Sequence, residues 1–438
     1  MKKIFDLIVI GAGPSAIATL SALPNNVTTA VITGETDNKT KILKLHPQIR
    51  TVAKKGFDNP GLSNQLFFSN SKAGYLSNTA IVGGLANYWG KQFVHYEQND
   101  PFPAECFNSY ENYRKATDKV IENFSCFPDI GNSNTPFLFG NYLAYKPCLL
   151  RGTKKQPQVG LNAMKKIFYS LATEKNIKIV PGFVQKLAMT DKALSVELSN
   201  GERIYANQVF LAAGVVGSLQ LILASCQNAN FARLKDHSPY MYYFLSRKGA
   251  IKKLCNKYQS DFNQLTVEEQ KLGKVKLFAS IYNLSNESIG LLLATLRLPP
   301  IMANVNMPKF FNVIKPIQIW TNESWSTYEI SKEAKKAKII KSSSMNVDKT
   351  LQRFENELKT QGHILQRKTT ACGFGFHYHG GKISDDGDNF ENAVDYIKNS
   401  FGNRLEIVDA TALPVIGVRP HTLTMMAYAY QIARQTFN

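Results

Sequence analysis

The chain has 438 residues and a formal net charge of +19, from 52 Lys and Arg residues against 33 Asp and Glu residues. With 44% hydrophobic and 19% charged residues, the composition is that of a folded globular protein and excludes a disordered one. The length predicts two domains. The positive charge favours acidic partners, such as phosphorylated substrates, anionic membrane surfaces or nucleic acid. The alternative is a Lys- and Asn-rich composition that reflects only the source genome.

Local patterns narrow the partners and the compartment. The basic clusters at Arg247–Lys253 and Lys332–Lys341 contain no interleaved stacking aromatics, so we interpret them as solvated helix faces and expect no nucleic-acid binding. The six cysteines show no CxxC pair and no metal-ligand spacing, which predicts reduced thiols, a cytoplasmic location and no metal site. The apolar residues 4–10 are interrupted by Asp6 and lead into a glycine-rich turn, which argues against a signal peptide. No apolar stretch reaches the roughly 18 residues of a membrane-spanning helix.

The first motif lies at residues 5–23. The apolar run Phe5–Ile10 predicts a buried parallel strand, and a helical run to Leu23 follows the sequence Gly11-Ala12-Gly13-Pro14-Ser15-Ala16. In this GxGxxA fingerprint, Gly11 permits a tight turn, Gly13 lets the backbone approach a pyrophosphate, and Ala16 allows close helix–strand packing. The helix N-terminus, with Pro14 and Ser15, then offers N–H groups to the phosphates.

A second strand and an acidic residue continue the same pattern. Thr29–Thr33 predicts the second strand, and Glu35 follows Gly11 by 24 residues, where a carboxylate accepts hydrogen bonds from ribose hydroxyls. The alternative is an ordinary glycine-rich turn at a strand–helix junction. The complete order of strand, turn, helix, strand and acid favours a dinucleotide site, which the fingerprint alone does not assign to FAD or NAD.

Three further segments resemble the glucose–methanol–choline (GMC) family of flavin-dependent oxidoreductases. The first is Gly83-Gly84-Leu85-Ala86-Asn87-Tyr88-Trp89-Gly90, which resembles the loop that this family places against the flavin. Its form is similar to that of the pyranose oxidase branch, in which a histidine bonds covalently to the flavin. Tyr88 stands at that position here, so the resemblance implies FAD that is bound non-covalently. It also implies flavin contacts for Gly83, Gly84, Asn87 and Trp89.

The second segment, residues 209–225, resembles the strand–turn–helix element of the family, with Ala213 and Gly214 at the turn as expected cofactor contacts. Upstream, Ile177–Val184 resembles the segment at the adenine edge, where the backbone near Val184 is a candidate contact. Asp236-His237-Ser238-Pro239 resembles a motif that often follows, and we expect a structural role for it.

The third segment comprises residues 405–414 and 420–429. By resemblance, Asp409 and Ala410 approach the ribityl-phosphate part of the flavin, and the last helix points its N-terminus, at Thr422, toward the isoalloxazine ring. The family therefore implies an α/β fold with a discontinuous Rossmann-like FAD-binding domain at residues 1–96, 159–239 and 371–438. A substrate domain with an antiparallel sheet and helices is expected at residues 97–158 and 240–370.

Two histidines are the candidate catalytic residues. Oxidation of an alcohol sends a hydride to the flavin and the hydroxyl proton to a base, and the ordinary pKa of histidine, about 6.5, suits that base. His377 precedes a glycine pair and resembles the family histidine that faces the flavin, so we predict it to be the general base. His421 matches the second active-site position, which implies a hydrogen bond to the substrate oxygen. The alternative is that His377 and His379 stabilise a turn and His421 caps a helix.

Two positions depart from the family pattern. Gly381 stands where threonine is frequent in the family, as glycine also does in the cholesterol oxidase branch. Arg419 precedes Pro420 where asparagine is frequent, so the alignment of His421 is open by one residue. Arg419 is also a candidate to bind an acidic group of the substrate, because a guanidinium is always charged and matches carboxylate or phosphate.

The expected substrate domain has few motifs. Strands are predicted at Lys274–Tyr282 and Pro316–Trp320, and a charged helix at Val347–Thr360. Trp320, Trp325 and Tyr328 are candidates for a sugar-stacking surface, but we favour core positions for them. Residues 291–311 are either a lid or membrane-contacting surface, which would suit a lipid-linked substrate, or an ordinary buried helix and loop.

These observations predict an FAD-dependent oxidoreductase that oxidises a CH–OH group of a sugar, polyol or other alcohol. The expected partners are a small-molecule or carrier-linked hydroxylated substrate and an electron acceptor of open identity. The alternative is a flavin-binding protein of the same fold that acts as a lyase or has no redox function, because folds host more than one chemistry.

Overall fold

The structure is a computed structural model of the chain. It describes residues 4–34, 66–68, 75–76, 78–88, 92–124, 126–127, 137–145, 149–150, 152–153, 156–157, 163–245, 263–271, 274–282, 314–333, 336–342, 348–370 and 377–437. Glu35, Trp89 and the basic cluster at residues 247–253 lie outside this described part, as do residues 291–311. The side chains of Asn87 and Tyr88 are likewise not described.

The described part is built mainly from strands. In chain order, the strands are β1 (Ile4–Ile10), β2 (Thr29–Thr33), β3 (Leu66–Phe68), β4 (Tyr75–Leu76), β5 (Cys126–Phe127), β6 (Phe137–Phe139), β7 (Tyr142–Tyr145), β8 (Leu149–Leu150), β9 (Gly152–Thr153), β10 (Gln156–Pro157), β11 (Lys178–Pro181), β12 (Val184–Met189), β13 (Leu194–Leu198), β14 (Arg203–Leu211), β15 (Phe231–His237), β16 (Tyr240–Leu245), β17 (Asn263–Lys271), β18 (Lys274–Tyr282), β19 (Ile314–Thr321), β20 (Trp325–Ser331), β21 (Lys336–Ser342), β22 (Ile364–Thr370), β23 (Tyr378–Ser384), β24 (Glu391–Asn392) and β25 (Leu405–Ile407).

Helices pack on the sheets and on one another. They are α1 (Pro14–Ala22), α2 (Ala104–Phe107), α3 (Tyr110–Phe124), α4 (Ala163–Glu174), α5 (Gly214–Ser225), α6 (Lys349–Thr360), α7 (Ala393–Phe401) and α8 (Thr422–Phe437). Short 3₁₀ helices occur at Gly84–Tyr88, Gly402–Arg404 and Ala410–Ala412. Helix α8 packs against both α1 and α3.

The first sheet carries the predicted fingerprint. Its strands run in the order β11-β2-β1-β14-β13-β12, and β25 also pairs with β14. The pairs that join β11, β2, β1, β14 and β25 are all parallel. Strands β1 and β2 are apolar and almost fully buried, as expected for a parallel sheet covered on both faces. The carboxyl ends of these five parallel strands therefore meet at one edge, which is where such sheets bind ligands.

Two further sheets of seven strands are mostly antiparallel. Their orders are β24-β23-β15-β20-β21-β3-β4 and β22-β16-β19-β18-β17-β7-β6. Helix α6 buries Leu351, Phe354 and Leu358 against the apolar face of the latter sheet. The former sheet pairs β15 and β23, from the ranges expected in the FAD domain, with β20 from the substrate range. The domain boundaries therefore stay a prediction.

Most predicted elements are confirmed, and one interpretation is wrong. The strands Thr29–Thr33 and Lys274–Tyr282 occur with the expected bounds. The charged helix begins at Lys349, because the Asp348 side chain accepts a hydrogen bond from the Leu351 N–H and caps it. The basic residues of this cluster that the structure describes do not lie on a helix: Lys332 follows β20, and Lys336, Lys338 and Lys341 lie on β21. Their alternation of Lys with Ala and Ile is the period of a half-exposed strand.

Candidate active site

The glycine turn after β1 has the geometry that the fingerprint requires. Gly11 has φ +107°, and a Cβ atom there would lie 2.3 Å from the carbonyl oxygen of Ala212, at the end of the neighbouring strand. The Gly11 N–H donates to the Ile32 carbonyl oxygen of β2 at 2.9 Å. The turn is therefore pressed between two strand ends, and only glycine fits it.

Helix α1 begins directly after this turn and leaves its first N–H groups available. Gly13 is the residue before the helix, Pro14 takes its first position, and no described side chain caps it. The Ser15 hydroxyl oxygen is buried and has no hydrogen-bond partner among the described residues. Ala16 is fully buried, as the close helix–strand packing of the motif requires. A buried hydroxyl without a partner beside a free helix N-terminus suits an anionic ligand.

The second glycine pair lies against the first. The Gly83 N–H donates to the Ala12 carbonyl oxygen at 2.8 Å. A Cβ atom on Gly84, which has φ +58°, would lie 3.2 Å from the Gly13 Cα atom. The backbone of Asn87 and Tyr88 continues from there as a 3₁₀ helix. Two segments about 70 residues apart in sequence thus form one glycine-lined edge.

The second and third segments that resemble the family reach the same edge. After β14, Ala213 and Gly214 start helix α5, and Gly214 adopts φ +72°. Asp409 follows β25 and is buried; its carboxylate accepts hydrogen bonds from the Ser218 hydroxyl of α5 at 2.5 Å and from the Thr411 N–H at 2.9 Å. Burial raises the pKa of Asp409, against these hydrogen bonds. The carboxylate ties the ends of β14 and β25 together, and Ala410 lies beside it in the 3₁₀ helix.

The predicted adenine edge lies at the end of β2. A Cβ atom on Gly34 would come within 2.8 Å of the Phe183 ring, immediately before Val184, the first residue of β12. The Gly182 N–H donates to the Thr33 carbonyl oxygen at 2.9 Å. The backbone at Val184 is thus held beside the strand end from which Glu35 continues.

Close packing connects the glycine-lined edge to the histidines. Strand β23 passes over the 3₁₀ helix Ala410–Ala412: a Cβ atom on Gly381 would lie 2.3 Å from the Thr411 methyl group. Gly380 has φ +63°, and its Cβ position lies 3.3 Å from the Pro414 carbonyl oxygen. His377 and His379, at the start of β23, are thereby held next to the segment that follows Asp409.

His377 and His421 face each other. Their ring centroids are 5.2 Å apart and their planes are inclined at 79°. His421, 5% exposed, immediately precedes Thr422 and helix α8. The Nδ1 atoms of both rings are buried without a hydrogen-bond partner among the described residues. The structure therefore brings the two predicted catalytic residues together, with unused hydrogen-bonding capacity.

Two tryptophans and two further histidines complete this group, which we call the histidine cluster: His237, Trp320, Trp325, His377, His379 and His421. The Trp320 ring stacks on His377 with centroids 4.9 Å apart, and Trp325 stacks on His237 at 4.0 Å. Trp320 and Tyr328 are buried, which agrees with the core positions favoured from sequence. The sequence indicated neither stack, because each depends on how distant strands pair.

Burial keeps the cluster neutral near pH 7. Desolvation by burial, with a smaller effect of His237, lowers the pKa of His421 to about 4. Burial also holds the pKa of His377 well below its ordinary value, and the neighbouring His421, His237 and His379 oppose a further positive charge. The imidazole of His379 approaches the His377 carbonyl oxygen at 3.3 Å, and its ring meets the edge of Trp325. His379 is therefore a packed residue of β23.

Arg419 is bound by protein carboxylates. Its guanidinium, 4% exposed, donates to both carboxylate oxygens of Glu268 at 2.9 Å each. It also donates to Asp100 and to the His95 carbonyl oxygen, again at 2.9 Å each. Burial opposes its charge, but the bonds and charges of Glu268 and Asp100 raise the pKa of Arg419 above its ordinary value. The guanidinium is thus occupied, and the structure gives no support to its binding an acidic substrate group.

The described residues contain no group of His, Cys, Asp or Glu side chains suited to a metal ion. No helix in the described ranges is long and apolar enough to cross a membrane.

The parallel sheet edge, the glycine turns and the histidine cluster define a Rossmann-type α/β protein with additional antiparallel sheets. Comparison with solved structures identifies proteins with this architecture. The chain is similar to pyridoxine 4-oxidase from Mesorbium loti, with a TM-score of 0.59 and 12% identity over 98% of this chain and 99% of that one. It is also similar to formate oxidase from Aspergillus oryzae RIB40, in a structure that addresses FAD modification. That match has a TM-score of 0.56 and 11% identity, over 98% of this chain and 97% of the other.

These likenesses confirm the fold that the resemblance to the GMC family implied. No protein-family model and no curated protein sequence matches the chain.

Proposed function

We propose that the protein is an FAD-dependent oxidoreductase that binds FAD non-covalently and oxidises a CH–OH group, with His377 as the general base. The observation that carries the proposal is the pair of facing imidazoles at His377, which is half-buried, and His421, which is buried. Gly380 and Gly381, which follow His377, pack against the segment after Asp409, so the two histidines lie next to the glycine-lined edge that suits a dinucleotide. Binding of a flavin cofactor is named for one neighbour, formate oxidase.

The residues present fit FAD. The diphosphate would be held at the N-terminus of α1, where the Ser15 hydroxyl has no partner among the described residues. A side chain on Gly84 would crowd the Gly13 Cα atom, at 3.2 Å from the Cβ position, so backbone would line the cofactor there. We expect Gly11, Ala213, Gly214, Asp409 and Ala410 to shape this edge through backbone geometry. Glu35 and Val184 would lie at the adenosine end, and Asn87, Tyr88, Trp89 and Thr422 at the flavin end.

Bound FAD would supply the acceptor for a hydride. The protein residues then have to remove the hydroxyl proton and hold the substrate oxygen. A neutral His377 is able to accept that proton, because burial keeps it unprotonated near pH 7. His421 would hydrogen-bond the substrate oxygen from the opposite side, at the positive end of helix α8.

We expect a small-molecule or carrier-linked hydroxylated substrate. The guanidinium of Arg419 is paired with Asp100 and Glu268. The described residues of the histidine cluster therefore favour a substrate that is neutral at the end that reacts. Trp320 and Trp325 are committed to stacking on histidines, which argues against their use as an open sugar platform.

The first experiment tests the cofactor. The purified protein should be yellow, and acid precipitation should leave flavin in the supernatant. Colour that stays in the pellet would show a covalent link and contradict the inference from Tyr88. Colourless protein that neither binds added FAD nor gains thermal stability from it would overturn the cofactor proposal.

The second experiment tests the chemistry. Sugars, polyols, simple alcohols, pyridoxine and formate should be mixed anaerobically with the FAD-loaded protein while flavin absorbance is followed. One of the alcohols should bleach the flavin, and His377→Ala should abolish bleaching while FAD stays bound. As a control, His95→Asn removes an imidazole that contacts Thr117 outside the cluster, and it should leave bleaching unchanged. FAD binding without bleaching by any compound would favour the lyase or non-redox alternative.

A further inference from the structure

Trp320 has a fixed position beneath His377. It is 3% exposed on β19, and its indole N–H donates to the His237 carbonyl oxygen at 3.1 Å. Phe278, its partner on β18, packs against it with ring centroids 6.1 Å apart. The hydrogen bond and the packing together define the plane of the indole. The indole is therefore a rigid surface, set before any ligand binds.

His377 lies flat on that surface. The two rings are inclined by only 9°, with centroids 4.9 Å apart. No described residue accepts or donates a hydrogen bond at the Nδ1 atom of His377, so no such bond orients the ring. The stack on Trp320 is consequently the contact that defines the plane of the imidazole, and this plane stands nearly perpendicular to His421.

None of the titratable groups that face His377 favours a protonated ring. The groups that face it are His421 from the start of α8, His237 from β15 and His379 from β23, and none of them is acidic. Lys235 lies close enough to His379 to lower that pKa as well. The negative face of an indole, by contrast, attracts a cation placed within about 6 Å of it. Trp320 is thus the described neighbour that favours an imidazolium at this position.

We propose that Trp320 is a positioning residue for His377: it fixes the plane of the imidazole and stabilises the imidazolium formed when His377 takes the hydroxyl proton. The inference rests on the proposed base role of His377. In that step the O–H bond of the substrate breaks and the proton bonds to the imidazole. The positive charge that appears then lies over the indole face, where it is stabilised more than the neutral ring is.

The orientation is tested without turnover. Protein labelled with ¹³C in its histidines should show the His377 ring signals, identified by their loss in His377→Gln, shifted upfield by the indole beneath them. Trp320→Leu should remove this shift and Trp320→Phe should retain part of it. Trp325→Leu is the matched control: it removes the equivalent stack on His237 and should leave the His377 signals in place. Unchanged His377 signals in Trp320→Leu would overturn the orienting role.

The stabilisation is tested by the pH profile of anaerobic flavin reduction in FAD-loaded protein. Trp320→Leu should lower the plateau rate by about 2- to 10-fold and move the acid limb by about half a pH unit toward lower pH, because the imidazolium is less stable. Trp320→Phe should fall between wild type and Trp320→Leu, and His95→Asn, outside the histidine cluster, should leave the limb in place. If the plateau rate drops but the acid limb does not move, Trp320 contributes only packing and does not stabilise the imidazolium, which would overturn the proposal. If His377→Ala still reduces flavin normally, the base assignment fails, whereas the histidine signals still report the stack.

Discussion

Arg419 holds the segment before helix α8 to two distant parts of the chain, and its removal should strongly destabilise the fold. Its partner Glu268 lies on β17 and is 1% exposed, and Asp100 is 5% exposed. Tyr145 of β7 donates a further hydrogen bond to Glu268 at 2.6 Å, and the Val275 N–H donates to Asp100 at 3.0 Å. This buried group therefore contains two carboxylates and one guanidinium.

Arg419→Met removes the only guanidinium of that group while keeping an apolar side chain of similar length. Breaking a buried ion pair by removing one partner costs about 3–5 kcal/mol, because an uncompensated charge stays buried. Here the two carboxylates are left without their shared cation, so we expect a loss in this range. Arg419→Lys keeps the charge but loses the two-pronged bond to Glu268, and it should lose less.

Urea unfolding followed by fluorescence measures the effect. Glu268→Gln combined with Arg419→Met should lose less than the sum of the two single variants, with a coupling of about 1–3 kcal/mol. The penalty of Arg419→Met should also shrink as the pH falls, because burial raises the pKa of Asp100 and this carboxylate, left without its cation, takes up a proton more readily. A loss below about 1 kcal/mol, or additive variants, would refute the reasoning that this group is a coupled ion network.

Three other changes test the site and the sheet edge. Burial lowers the pKa of His421 from 6.5 to about 4, so between these pH values the unfolded chain binds more protons than the folded one. The free energy of unfolding therefore falls as the pH drops through this window, by about 2 kcal/mol at pH 5 relative to neutral pH. His421→Asn should remove this loss and flatten the pH profile measured by urea unfolding. Gly11→Ala should lower the melting temperature far more than Gly201→Ala, since both have positive φ but only Gly11 would meet a backbone carbonyl, at 2.3 Å; equal losses would contradict the crowding argument. Ser218→Ala leaves buried Asp409 one hydrogen bond short and should cost about 1–3 kcal/mol by thermal unfolding, whereas no loss would mean that the bond does not hold the two strand ends together.

The sequence was sufficient for the parts of the fold that local patterns determine. The strand, glycine turn and helix from Phe5 to Leu23 follow from an apolar run and two glycines, each of which acts within a few residues. The helix that ends at Thr360 also follows from a local pattern, although the capping Asp348 places its start at Lys349, two residues after the expected Val347. The pairing of His377 with His421 followed from the family resemblance, and the geometry agrees with it.

The rest depended on contacts between distant positions. Arg419 finds Glu268 151 residues away and Asp100 319 residues away, so a single sequence offers no signal for these ion pairs. The stack of Trp325 on His237 is a direct cross-strand pair of β15 and β20, fixed by a register that periodicity does not specify. Lys332–Lys341 was misread because a charge run alone does not distinguish a helix from an edge-like strand.

The order of strands in the first sheet has a consequence for how the protein acquires its structure. Strand β1 is flanked by β2 on one side and by β14 on the other, and β14 also pairs with β25. Closing the β1–β14 pair and the β14–β25 pair each means joining parts of the chain about 200 residues apart, which carries a large entropic penalty before any stabilising contact forms. We expect slow refolding through intermediates that lack a complete nucleotide edge. Added FAD should therefore raise the yield of native protein chiefly by trapping molecules in which that edge has already closed.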